Sequence, residues 1–263
     1  MSNIVIHSPQ KISTIYRHLL VKLGKEKFKN PKENSVHLVD NNDANELLNN
    51  LRDYPHAYIL ACCMDRQIKA ERAWSIPFEV KQEIGQFDIE TLANTTLDEY
   101  KRIFNDKKLH RYNNKMAEVF FKAVQKIKKD YNGDASQIWS NNPSSAAVVY
   151  RFLEFYGVGV KIATMAANIL ARQFKIKFSD YYSIDASPDV HVKRVMKRMG
   201  LVQENADNDK IIYKARELNP EFPGIIDFPL WEIGKKFCKP NKPSCSKCTV
   251  KDECQYNLLV THS

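Results

Sequence analysis

The chain has 263 residues, enough for one large or two small packed domains, with 43% hydrophobic residues and modest Gly and Pro content. That balance excludes a disordered or collagen-like chain, and no apolar run approaches the length needed to span a bilayer. The formal net charge of +9 suits a polyanionic partner without proving one.

In chain order, the first 20 residues show no charged leader followed by a long apolar stretch, so a signal peptide is not expected. Residues 12–23 carry apolar side chains three and four apart and predict an amphipathic helix. Asp40, Asn41 and Asn42 offer caps for a helix over 44–51. The stretch 56–74 is apolar first and amphipathic later, as in a buried helix whose end reaches the surface. Cys62 and Cys63 lie in its apolar part and read as reduced core thiols. Residues 113–131 carry a clear helical stripe that ends near Asn132-Gly133. Asn142 and Pro143 suggest a cap and a first-turn proline for a helix over 144–155. No segment sustains period-two alternation, so the expected class is all-α. Reduced thiols and no visible leader point to a soluble, reducing compartment, cytoplasm or nucleus.

Three motifs carry chemistry. Residues 152–170, FLEFYGVGVKIATMAANIL, place Gly157 and Gly159 around one valine between two helices. Two glycines permit a tight turn with close backbone approach, and the amides after it open a helix, where anions bind. The same pattern is also that of a plain helix corner. Ala163 and Ala167 are small and four apart, which permits close helix packing, and Lys161 follows the second glycine by two residues. Residues 183–201, SIDASPDVHVKRVMKRMGL, hold two aspartates, Asp185 and Asp189, before a basic helix. Asp189 can serve as that helix's cap as well as a reactive carboxylate. Finally, Cys238, Cys245, Cys248 and Cys254 are spaced C-x6-C-x2-C-x5-C in a loop rich in Lys and Pro. Four thiols in so short a loop call for a metal centre. A four-cysteine zinc site usually shows two short knuckles, and only Cys245 and Cys248 form one. The irregular spacing favours a 4Fe–4S cluster. Paired disulfides are the third possibility. Between Trp231 and Tyr256 six lysines face three acids, a local excess suited to phosphates.

Taken in order, the hairpin, the aspartate segment and the cysteine loop resemble the endonuclease III family of helix–hairpin–helix DNA glycosylases. The likeness covers residues 152–254; the first 150 residues match it less well. The resemblance implies two helical lobes with a DNA-binding groove between them. It divides the chain into an N-terminal segment, 1–52, packing with the cluster lobe, a lobe over 53–178 with the hairpin at 143–172, and an aspartate and cluster lobe over 179–263. It implies a 4Fe–4S cluster on the four cysteines, and a monomer acting on double-stranded DNA that holds a damaged or mismatched base. Lys161 takes the place of the nucleophile of bifunctional members, and the Asp-Val-His-Val-x-Arg continuation favours Asp189 over Asp185 as the carboxylate. Gly157 and Gly159 would present phosphate-binding amides. Gln67, with Arg66 as its rival, would fill the gap left by a flipped base. His191, Arg194, Lys242 and Lys247 would contact DNA.

One departure is Phe155-Tyr156, where the family usually has Leu-Pro before the first glycine. The implied activity is removal of a base, oxidised pyrimidine by family default, coupled to strand nicking. Removal of oxidised guanine stays open. So does removal of adenine opposite oxidised guanine, although that subfamily carries a Glu near the position of Cys62 and usually lacks the lysine. A non-catalytic iron–sulfur DNA-binding protein and a zinc-bearing adaptor also stay open.

Overall fold

A computed structural model describes residues 9–29 and 38–261. Among these residues there are thirteen α-helices and three short 3-10 turns, and no strand, as the missing period-two pattern implied. No described helix is long and apolar enough to cross a membrane. The chain divides into two units. One takes the first helix, Ala167–Lys175 and the chain from Ser179 onward; the other takes the chain from residue 38 to Ala166 together with Ile176–Phe178.

The second of these units is built around helix α3, Pro55–Met64, whose every residue is buried. A helix apolar on all faces has to sit in the middle of a bundle. The surrounding helices are α2 (Asn42–Asn49), α4 (Ala70–Ile84), α5 (Ile89–Asn94), α6 (Leu97–Asp106), α7 (Asn113–Asp130) and α8 (Ser145–Leu153). Four of the six, α2, α5, α6 and α8, start at a side-chain cap. Asn41 accepts from the Ala44 amide and caps α2, and Thr96 and Glu99 form a reciprocal capping box on α6. Tyr58 donates from its hydroxyl to the Ala166 carbonyl at 2.7 Å, which satisfies its one polar atom in the core. Cys62 and Cys63 are fully buried, and burial pushes the Cys63 thiol up to about 12 and that of Cys62 upward as well. They are neutral packing residues.

Two differences from the sequence expectation have local causes. The stretch 56–74 is broken between α3 and α4, where Gln67 takes a left-handed φ of 53°. Helix α8 is capped by Ser144, whose side chain accepts from Ala147 N, rather than by Asn142 with Pro143 in the first turn. Asn141 and Asn142 both adopt positive φ, so the chain is still turning where a helix was expected to begin.

The first unit gathers α1 (Pro9–Lys29), α10 (Val190–Arg198), α11 (Asn208–Leu218), α12 (Asp227–Lys236) and α13 (Gln255–Thr261). Helix α1 packs against α11, α12 and the turn Pro223–Ile226. A Cβ on Gly24 would come 2.1 Å from the Ile225 carbonyl oxygen, so only glycine allows that approach. Gly234 plays the same part between α12 and α10, where a Cβ would lie 2.6 Å from that of His191.

Candidate active site and metal centre

The hairpin joins α8 to helix α9, Val160–Arg172. Phe155 is 1% exposed and anchors the lead-in. Gly157 turns the chain with a φ of 82°, a conformation that disfavours any side chain. Gly159 then accepts from the Ile162 and Ala163 amides, each at 3.0 Å, and starts α9. A Cβ on Gly159 would meet nothing within 4 Å, so a ligand group can approach the backbone there. Lys161 stands exposed on the first turn of α9, and Ala163 and Ala167 are fully buried.

Tyr156, directly before Gly157, is 42% exposed. Two lysines of α7 hold it: Lys115 Nζ lies 2.5 Å from its hydroxyl, and Lys122 Nζ 3.8 Å from its ring centre. Glu118 pairs with both lysines, at 3.0 and 2.6 Å.

The broken end of α3 meets this hairpin. Arg66 donates from Nη1 to the Gly157 carbonyl at 3.2 Å. The next residue, Gln67, is exposed, and its Oε1 accepts from the Tyr112 hydroxyl at 3.1 Å. The two candidates for gap filling are thus differently placed. Arg66 is engaged with the hairpin backbone, and Gln67 stands at the tip of the turn.

In the first unit the two aspartates have separate environments. Asp185 is buried, its side chain 7% exposed, and takes a bidentate pair from Arg216, Nε to Oδ1 and Nη2 to Oδ2, both at 2.8 Å. This pairing raises the Arg216 pKa, the bond to Asp185 being the largest cause. Asp189 is half-buried and caps α10: its Oδ1 accepts from the amides of His191 at 2.8 Å and Val192 at 2.7 Å. Its other oxygen accepts no hydrogen bond among the described residues. Asp185 is held in an ion pair with Arg216, and Asp189 is held as a helix cap.

His191 and Arg194 lie on α10 just beyond Asp189. Arg194 donates from Nη2 to His191 Nδ1 at 2.9 Å and to Gly234 O at 3.1 Å, and from Nε to Cys238 O at 2.7 Å. These bonds tie the aspartate-capped helix to the first cysteine. Arg198, one turn on, donates to the carbonyls of Lys239 and Pro240 at 2.7 and 2.6 Å and to Cys238 Sγ at 3.4 Å. In the sequence Arg198 is one of the residues that make this helix basic. Its spacing of four from Arg194, which puts both on one helix face, was the available signal. Lys242 and Lys247 are exposed on the loop.

The four cysteines of the loop are all half-buried and in no disulfide. They line one cavity, together with Val195, Met199, Ile233 and Phe237. Among the described residues no three of His, Cys, Asp or Glu converge on one point as ligands of a single ion. All four cysteines border the same cavity. Burial pushes the thiols of Cys248 and Cys254 up, bonds from nearby amides oppose it, and neighbouring thiolates, Cys238 and Cys245 for the first, Cys238 and Cys248 for the second, push them up further. A cationic core in the cavity would reverse that repulsion, so the donor set fits a bound metal centre.

No family model matches the chain. Endonuclease III of Thermotoga maritima is 29% identical over 68 residues, 26% of this chain and 32% of that protein. The Sulfolobus acidocaldarius endonuclease III is 32% identical over 72 residues, 27% and 32% of the two chains. That of Rickettsia prowazekii is 31% identical over 110 residues, 39% and 43%. The matched stretch thus spans less than half the length of each of these relatives. Among solved structures, a non-covalent endonuclease III–DNA complex superposes with a TM-score of 0.64 at 15% identity, covering 98% of this chain and all of that one. A trapped endonuclease III–DNA covalent intermediate gives 0.61 at 16% identity, covering 97% and 100%. A thermostable thymine-DNA glycosylase gives 0.61 at 17% identity, covering 94% and 97%. The resemblance read from the hairpin, the aspartate and the cysteines is therefore the one that the relatives and structures carry: this chain shares the endonuclease III fold and is similar in sequence to proteins of that name.

Proposed function

We propose that this protein is a base-excision-repair DNA glycosylase with AP lyase activity, acting on duplex DNA that holds a damaged base, an oxidised pyrimidine first among the candidates. The observation that carries it is Lys161, exposed on the first turn of α9 two residues after the Gly157-Val158-Gly159 turn. Asp189 supports it, because a carboxylate with an oxygen to spare can stabilise positive charge on the sugar or accept the amine's proton.

A free lysine is almost wholly protonated at neutral pH, so the amine must first give up a proton. Its nitrogen then bonds to C1′ while the N-glycosidic bond breaks and the base departs with the bonding pair, taking up a proton. Opening of the sugar ring leaves an imine between Lys161 and C1′. Loss of a proton from C2′ then expels the 3′ phosphate and nicks the strand. Such chemistry cannot reach a stacked base, so the nucleotide has to be flipped out, with Gln67 filling the gap.

We assign the four cysteines to a 4Fe–4S cluster. A cubane takes one thiolate at each of four irons, which suits sulfurs set around a cavity. Bound there, it would fix the loop that bears Lys242 and Lys247, whose charges suit phosphate contact. On this reading the protein works on DNA, in cytoplasm or nucleus.

Two experiments test these assignments. A panel of lesion-bearing duplexes, scored for base release and nicking, reads activity and substrate together; no release from any lesion would contradict the enzyme. Binding should weaken steeply with salt, and replacing Lys242 and Lys247 together should flatten the log–log slope by about 1.8, the effect of two lost phosphate contacts. An unchanged slope would place the loop away from DNA.

The aspartates can be separated in the same way. Asp185→Asn breaks the bidentate pair with Arg216 and should cost about 1–2 kcal/mol of stability, discounted because Arg216 can reach water. Excision per folded molecule should hold. Thermal unfolding and single-turnover excision, run on Asp185→Asn and Asp189→Asn side by side, should move in opposite columns.

A further inference from the structure

We propose that Tyr112 is a positioning residue that holds Gln67 for insertion into the DNA gap, an inference that rests on the gap-filling role given to Gln67 above. Gln67 keeps a left-handed backbone that a glycine would adopt more readily.

Alone, an exposed glutamine samples many rotamers. Here the Tyr112 hydroxyl fixes Oε1 at 3.1 Å and leaves the Nε2 amide, with its two donors, for whatever the turn meets. The tyrosine can do this because its own loop is braced. Its amide donates to His110 Nδ1 at 3.1 Å, and the His110 amide donates to Asn113 Oδ1 at 2.8 Å. Arg72 grips the carbonyls of Lys107, Lys108 and Leu109 at 3.2, 2.9 and 3.2 Å. Tyr112 stays 46% exposed, so its contact with Gln67 belongs to the surface that the turn presents. On the other side of the turn, Arg66 ties it to the hairpin carbonyl of Gly157. The side chain that fills the gap is thereby held, before DNA arrives, to the same frame as the phosphate-binding hairpin. Such pre-ordering lowers the entropy lost on insertion.

The test uses full-length protein and a duplex carrying 2-aminopurine beside an abasic analogue, whose fluorescence rises when stacking is broken. Tyr112→Phe removes one hydroxyl and leaves the ring. It should lower the unstacking constant about fivefold, the worth of one hydrogen bond. In a Gln67→Ala background the same change should do nothing, because the group it positions is gone. Equal losses in both backgrounds would make Tyr112 a structural residue and overturn the proposal, as would a Tyr112→Phe variant equal to wild type. A wild-type protein that leaves the probe dark, or a Gln67→Ala variant as bright as wild type, would instead remove the gap-filling role itself and the positioning role with it.

Discussion

Lys161→Gln is expected to abolish strand nicking, by roughly a thousandfold or more, while duplex binding changes little. The amide is one atom shorter and uncharged, still polar on an exposed side chain, but it has no lone pair able to displace a base. Asp189→Asn should slow base release by about a hundred- to thousandfold, because the developing sugar charge loses its counter-charge. It should do so without unfolding α10. An asparagine oxygen can still accept from the His191 and Val192 amides, and Asn caps helices about as well as Asp. Slow nicking at preformed abasic sites should survive Asp189→Asn, since no glycosidic bond is left to break there. Single-turnover assays on an intact lesion and on an abasic site separate the two steps. A Lys161→Gln enzyme that nicks at the wild-type rate would assign the nucleophile to another amine.

The second large effect concerns the thiol loop. Purified without oxygen, the protein should be brown and hold about four irons and four inorganic sulfides per chain. Cys245→Ser should strip most of that iron and weaken DNA binding roughly tenfold, as expected when a loop that presents phosphate contacts loses its shape. Its effect on the helices around α3 should be small, for those pack in the other unit. Iron and sulfide analysis with far-ultraviolet circular dichroism reads both at once. Stoichiometric zinc without sulfide, in protein from iron-replete cells, would replace the cluster with a four-thiolate zinc site.

Much of this architecture was legible in the sequence because it is local. Helical period, the Asn41 cap and the end of α7 before Gly133 depend on near neighbours. The break after α3 was not legible, because no Gly or Pro stands between Met64 and Ala70. The chain turns there on the positive φ of Gln67, with Gly157 accepting from Arg66 and Tyr112 donating to Gln67 across 91 and 45 residues of sequence. The same limit governs the charged residues. Arg194 donates to Gly234 and Cys238, partners that only the packing of α10 on α12 supplies. Asp185 and Asp189 are four apart and chemically alike. What separates them is Arg216, brought to Asp185 across 31 residues.

The central claim is that Lys161 forms a covalent bond to the sugar. Borohydride reduction during turnover on a lesion-bearing duplex should yield one stable protein–DNA adduct. Proteolysis and mass analysis should place the nucleotide remnant on the peptide containing Lys161. An adduct on a different lysine or on the N-terminal amine, or efficient base release with no adduct at all, would contradict it.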